Sequence, residues 1–158
     1  MGVTRERLKT VGVETVGVVA SHPERARLYY RFHPVRVPLG ADPDLTTHLA
    51  YGLPHPAVTP ELMQEFATTH INPTGDLPEP LPVLEASTAM ARLDGFVPSA
   101  TDEADKQRHF PQLVGQFLID RDGIVRWANV EASRGGLAEA GKFPSAEELL
   151  AAVRAAWG

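Results

Sequence analysis

The side chains that could carry chemistry here are histidines, carboxylates and hydroxyls, because none of the 158 residues is a cysteine. That absence excludes disulfides, thiolate metal ligands and a cysteine nucleophile together. Six histidines raise the question of a metal. Asp44 and His48 stand at the four-residue spacing that places two side chains on one helix face. His22, His33, His55, His70 and His109 are scattered. No His-x-x-x-His pair and no short run of convergent ligands occurs, so neither a metal nor any other cofactor is expected.

Hydroxyls and carboxylates offer little more. Ser21 and Ser145 each precede a helical pattern and read as caps, since nothing places a base beside either one. Asp120, Asp122 and the Asp94-Gly95 pair are turn residues, whose carboxylates bond their own backbone. Glu131 is the single carboxylate set on a rigid element, and no partner for acid–base work can be assigned to it. Ser133 and Arg134, in a glycine-containing loop, are the residues able to close around an anion, a plain connector being the simpler reading.

A net charge of -5 gives no electrostatic case for nucleic acid or an anionic membrane as partner. The longest apolar run, Val16 to Ala20, is far too short to cross a bilayer, and no apolar stretch of signal-peptide kind follows the basic residues near Met1. A cytoplasmic location is the default expectation.

The elements that must position these residues read as α/β. Residues 3–10 suit a short helix. The second half of Val11-Gly-Val-Glu-Thr-Val-Gly-Val-Val-Ala20 is continuously apolar and β-branched, which predicts a strand buried on both faces of a parallel sheet. Ser21-His-Pro-Glu24 has the form of a capping box. The helix it opens, with Tyr29 or Tyr30 turned inward, is expected to stop before Pro34. Val35 to Leu39 reads as a brief edge strand, and Asp42-Pro-Asp-Leu as the start of a helix with Asp42 at its N-cap and Leu45 and Leu49 on one face.

Residues 53–112 break the rhythm. Thr59-Pro-Glu-Leu opens a helix to about Thr69, with Leu62, Met63 and Phe66 on its apolar side. Four prolines between Ile71 and Leu84 exclude a helix or a central strand there. Glu85–Leu93 and Thr101–His109 read as short helices. The stretch has few large apolar residues and is expected to pack over the domain as an insertion. Regularity returns at Leu113–Asp120, a turn at Arg121-Asp-Gly123, and Ile124–Val130 pairing back as a hairpin. Phe117, Trp127 and Phe143 are expected in the core. Ser145-Ala-Glu-Glu148 begins a last helix carrying Leu149, Leu150, Val153 and Trp157 on one side.

Two separated stretches carry a family resemblance. The run Val11–Ala20, its following helix and Leu39-Gly-Ala-Asp-Pro-Asp-Leu45 resemble the middle of peroxiredoxin-like proteins, the alkyl hydroperoxide reductase/thiol-specific antioxidant (redoxin) group. Gly115-Gln-Phe-Leu-Ile-Asp-Arg-Asp-Gly-Ile-Val-Arg126 is similar to that group's strand-turn-strand signature. The resemblance covers about residues 1–52 and 113–157 and implies one thioredoxin-like domain over 1–158, its core 1–52 and 113–158, with a mixed sheet, flanking helices and a helical insertion at 53–112. It implies thiol oxidoreductase ancestry without the catalytic cysteine, whose strand, loop and first helical turns have no counterpart before the helix at residues 3–10. Where the family places a cis-proline or an arginine before the hairpin strand, this chain has Val114 and Gly115.

The implied fold has a physical consequence. The unmatched strand would lie centrally, so its loss leaves two strand edges with unpaired backbone donors and acceptors. Three remedies are open: an internal segment, for which Leu81–Leu84 is a poor candidate because of Pro82, a second copy, or a longer protein of which this chain is a shortened version. Some edge pairing with another chain is the expectation, and Val114, Gly115, Gln116, Ser133 and Arg134 are the expected contact residues. Two functions stay open. One is a redox protein by descent, competent only if a cysteine is brought to it. The other is a non-enzymatic binding or assembly domain on the same scaffold.

Overall fold

In the computed structural model, residues 2–32, 37–93, 95, 97 and 99–157 are described. The halt before Pro34, the start of the Val35–Leu39 piece, Asp94 and the orientation of the Tyr29 and Tyr30 side chains lie outside the described residues. Helices and short strands alternate, which makes the chain α/β. They fall into two compact units: residues 1–52, 116–129 and 144–158 form the first, and 53–115 with 130–143 the second.

The first unit begins with α1 (Gly2–Lys9), followed by β1 (Gly17–Val19), α2 (Pro23–Phe32), β2 (Leu39–Ala41) and α3 (Thr46–Ala50). β1 and β2 are parallel, with Val18 opposite Gly40. A parallel pair needs a crossover, and α2 supplies it while packing on β2. α2 starts at Pro23, one residue later than a Ser21 cap requires, so the His22 carbonyl accepts from the Arg25 and Ala26 amides. Residues 116–129 of the hairpin β5 (Gly115–Ile119) and β6 (Val125–Val130), with the final helix α7 (Ala146–Trp157), complete this unit. Gly123 takes φ +81° in the turn, a conformation that favours glycine. Ser145 and Glu148 cap α7 reciprocally, as their spacing predicts.

Leu8, Leu118, Leu150 and Val153 bury one another where α1, β5 and α7 meet, with Val13, Trp127, Leu149 and Ala152 around them. Phe117 is half-buried against Tyr51, ring centroids 4.8 Å apart. Trp157 remains 46% exposed at the end of α7.

The second unit holds α4 (Pro60–Thr68), β3 (His70–Ile71), β4 (Leu81–Pro82), α5 (Val83–Leu93), α6 (Ala100–His109) and a 3-10 turn at Gly136–Glu139. Thr59 caps α4, and Ser99 with Asp102 forms a capping box on α6. Its buried cluster is Ile71, Leu77, Ala86 and Ala140, flanked by Leu81, Val83, Ala89 and Met90. Phe66 is buried and meets Phe110, their rings 5.3 Å apart. Phe143, expected inside, is 57% exposed, because it lies beyond the loop and belongs to no helix or strand whose packing would bury it.

The strands pair as three two-stranded ladders, β1–β2, β3–β4 and β5–β6. Leu81–Pro82 pairs antiparallel with His70–Ile71 and so closes a ladder of its own. Among the described residues no hydrogen-bonded ladder joins β1 to β5. A single continuous mixed sheet is therefore not what these residues form.

Candidate functional site

Each strand residue points its N–H and C=O to the same side, and the sides alternate along the chain. The Gly17 amide donates to the Pro38 carbonyl at 2.8 Å, and the Asp42 amide donates to the Val19 carbonyl at 2.8 Å. Gly17 and Val19 thus face β2, and the backbone groups of Val16 and Val18 face away from it. The same parity applies to β5. The Val114 carbonyl accepts from the Glu131 amide at 2.9 Å and the Asp120 amide donates to the Ile124 carbonyl at 2.9 Å. Gly115, Phe117 and Ile119 therefore turn their backbone groups away from β6. Both outer edges belong to strands whose sequence suits a sheet interior, yet Val16 is 67% and Val18 41% exposed.

The expected contact residues divide between the units. Val114, Gly115, Ser133 and Arg134 lie in the second unit, and Gln116 in the first. Both backbone groups of Val114 are taken up by one residue: its amide donates to Glu131 Oε2 at 3.0 Å and its carbonyl receives the Glu131 amide. Glu131 Oε1 accepts from the Gly141 amide at 2.7 Å. Glu131 is thus a clamp between the base of the hairpin and the loop after it. Gly115 opens β5, and Gln116 Oε1 accepts from Asn129 Nδ2 at 2.7 Å on the hairpin. Ser133 and Arg134 are exposed in the turn over 131–135, within which Ala132 has φ +58°. The Ser133 amide donates to the Val130 carbonyl, which makes a turn of this segment. The hydrogen bonds of these five residues do not gather them around one point.

A polar cluster that residue spacing missed lies just after β2. Asp42 and His48 are 8% and 7% exposed, and Asp42 Oδ2 accepts from His48 Nδ1 at 2.9 Å. The same carboxylate accepts from the amides of Thr46 at 2.9 Å, Thr47 at 2.8 Å and His48 at 3.3 Å. Asp42 therefore does cap a helix, but one that begins at Thr46 instead of beside it. The intervening Leu45 adopts φ +57°, which delays α3, buries Leu45 and leaves Leu49 exposed. The expected Asp44–His48 helix pair is replaced by Asp42–His48, a six-residue spacing that no regular helix brings together. The hydrogen bond from His48 holds the Asp42 carboxyl below its ordinary value, burial opposes this, and the amides of Thr47, His48 and Thr46 add to it. With an acceptor-only carboxylate beside it, Nδ1 carries a proton and donates it to Asp42.

The other histidines lie apart. His22 is exposed, His55 Nε2 is 3.4 Å from the Phe110 carbonyl, His70 Nδ1 is 3.0 Å from the Thr68 carbonyl, and His109 Nε2 accepts from Arg108 Nε at 3.3 Å. His33 lies outside the described residues. Among the described residues no three His, Asp or Glu side chains converge on a point that would hold a metal ion. No helix of the described residues is long and apolar enough to cross a membrane.

At the hairpin turn, Asp120 Oδ1 accepts from the amides of Asp122 and Ile124, and Oδ2 accepts from Arg126 Nε at 2.7 Å. The Ile124 amide is the largest influence lowering the Asp120 carboxyl below its usual value. The turn reading of Asp120 is thereby explained without chemistry. Comparison with protein-family models, with curated proteins and with solved structures finds no match for this chain.

Proposed function

We propose that the chain is a thioredoxin-fold relative of the redoxins that performs no thiol chemistry itself and acts as a binding or assembly domain through a sheet edge. The observation that supports this reading most is the composition of the first unit. It gathers a parallel β1–α2–β2 element, the β5–β6 hairpin and α7 across the whole of residues 53–115. A strand–helix–strand half followed by a hairpin–helix half is the order the redoxin resemblance implies. The two strands with outward backbone groups, β1 and β5, are the strands on either side of the central position in that arrangement. With no cysteine in the chain, a thiolate has to come from another polypeptide segment.

Peroxide and disulfide reductase assays test this, run on the chain alone and on the chain mixed with a cysteine-bearing redoxin fragment that contains the central strand. No turnover in either case, with slowed amide exchange at β1 or β5 in the mixture, is the outcome this reading predicts. Turnover only in the mixture would make the chain part of a redox enzyme and displace the assembly reading. Turnover by the chain alone would overturn the claim that it does no such chemistry.

A further inference from the structure

We infer that residues 42–52 are a two-state latch. His48 is held by Asp42 in the observed state, and by Asp44 in a second state whose helix starts at Pro43. The amides gathered by the Asp42 carboxylate carry the argument. Those of Thr46, Thr47 and His48 lie 2.9, 2.8 and 3.3 Å from its oxygens. In an α-helix begun at Pro43 the same three amides donate to the carbonyls of Asp42, Pro43 and Asp44, four residues back. Exchange between the states therefore transfers these bonds and does not lose them. The turn at Pro43 and Asp44 is already closed, the Leu45 amide donating to the Asp42 carbonyl at 3.3 Å. Between Asp42 and α3, Leu45 alone has a positive φ, so this one residue separates the turn from a continuous helix.

Local chemistry favours the second state. Asp42 is a good N-cap, Pro43 suits the first helical position, and Asp44 in the first turn meets the helix dipole favourably. A leucine at φ +57° is disfavoured, because its Cβ crowds the backbone. Such a conformation persists only where its surroundings hold it. Here the burial of Leu45 and the 2.9 Å hydrogen bond between His48 and Asp42 do so. A regular helix sets residues six apart on different sides, so the second state gives up that bond. It brings His48 instead to Asp44, which is exposed in the observed state and stands four residues earlier. Leu45 and Leu49, one buried and the other exposed, then share a face. Reversing φ at Leu45 also swings α3 about its first turn. The swing carries Tyr51 away from Phe117, whose ring centroid is 4.8 Å from its own. The carboxylate partner of one imidazole thus governs the contact between the end of α3 and β5.

Amide relaxation dispersion on the full chain tests the latch, with the one-bond Cα–Hα coupling of Leu45 read for the sign of its φ. Exchange between microseconds and milliseconds is expected at the amides from Asp44 to Tyr51. Asp42→Ser keeps an N-cap for the second state but has no carboxylate for His48 and the three amides. It should raise the population of the second state about tenfold, the effect of losing a charge-assisted hydrogen bond. Leu45 should then show a negative φ, and the nuclear Overhauser contact between Tyr51 and Phe117 should weaken. Asp44→Asn, at an exposed position, should lower the same population about twofold, as loss of a helix-surface ion pair does. Flat dispersion over residues 44–51 of the unaltered chain overturns the inference. So does a folded Asp42→Ser chain in which Leu45 keeps its positive φ. If Asp42→Ser does not fold, Asp44→Asn decides: exchange that it leaves unchanged removes Asp44 as the second partner and the latch with it.

Discussion

Proline scanning of β1 separates the inward from the outward face of one strand. Gly17→Pro deletes the amide that donates to the Pro38 carbonyl at 2.8 Å. Losing that bond costs about 1 kcal/mol net. Any Cβ at Gly17 also falls 2.9 Å from Leu39 Cδ1, closer than van der Waals contact. Displacing Leu39 adds about 1–2 kcal/mol of packing strain. Val18→Pro touches neither, since its amide faces away from β2 and a Cβ is already present there. Trimming a side chain that is 41% exposed costs under about 1 kcal/mol. Gly17→Pro should therefore be less stable than Val18→Pro by about 2 kcal/mol, or about 1 M in urea midpoint for a typical slope. Trp127 and Trp157 both belong to the first unit, so their fluorescence follows unfolding of the unit that contains β1. Equal destabilisation by the two prolines would show that Val18 also bonds inward, and the assignment of the free edge would be wrong.

Three further outcomes are expected. Asp42→Asn should lower the urea midpoint of the first unit and flatten its dependence on acid. A carboxyl held below its ordinary value of 3.8 contributes stability above that pH and loses it as pH falls through the folded value, so the wild-type midpoint should drop more steeply than the variant's below about pH 4. Leu118→Ala opens a cavity among Leu8, Leu150 and Val153 and should cost about 3 kcal/mol by the same fluorescence assay. Glu131→Ala releases the amides of Val114 and Gly141, and native-state exchange at those two positions should speed up by about tenfold while the Leu118 amide is unchanged.

Local chemistry explains which elements were legible. Thr59 and Ser145 announce α4 and α7, because a cap is a contact between residues three apart and needs no tertiary partner. The same holds for the hairpin turn, where Asp120 and Gly123 settle the reversal by themselves. The α/β alternation follows from these local signals. Composition also decides that no thiol is present, whatever the fold.

Tertiary structure decided the rest. Nothing in the spacing of Asp42 and His48 announces their contact, which depends on one leucine in a left-handed conformation and on burial beside β2. Nor does the pattern of Val16 to Ala20 say that, among the described residues, β1 pairs with β2 alone. Apolar, β-branched residues report that a strand suits a sheet interior, but which strands lie beside it is set by long-range pairing. Glu131 shows the same limit: its position on the hairpin was legible, while its use as a clamp on Val114 and Gly141 requires a loop returning from ten residues further on. Side chains and turns are chosen by their neighbours in sequence, whereas the partners of an edge, a buried carboxylate or a clamp are chosen by neighbours in space.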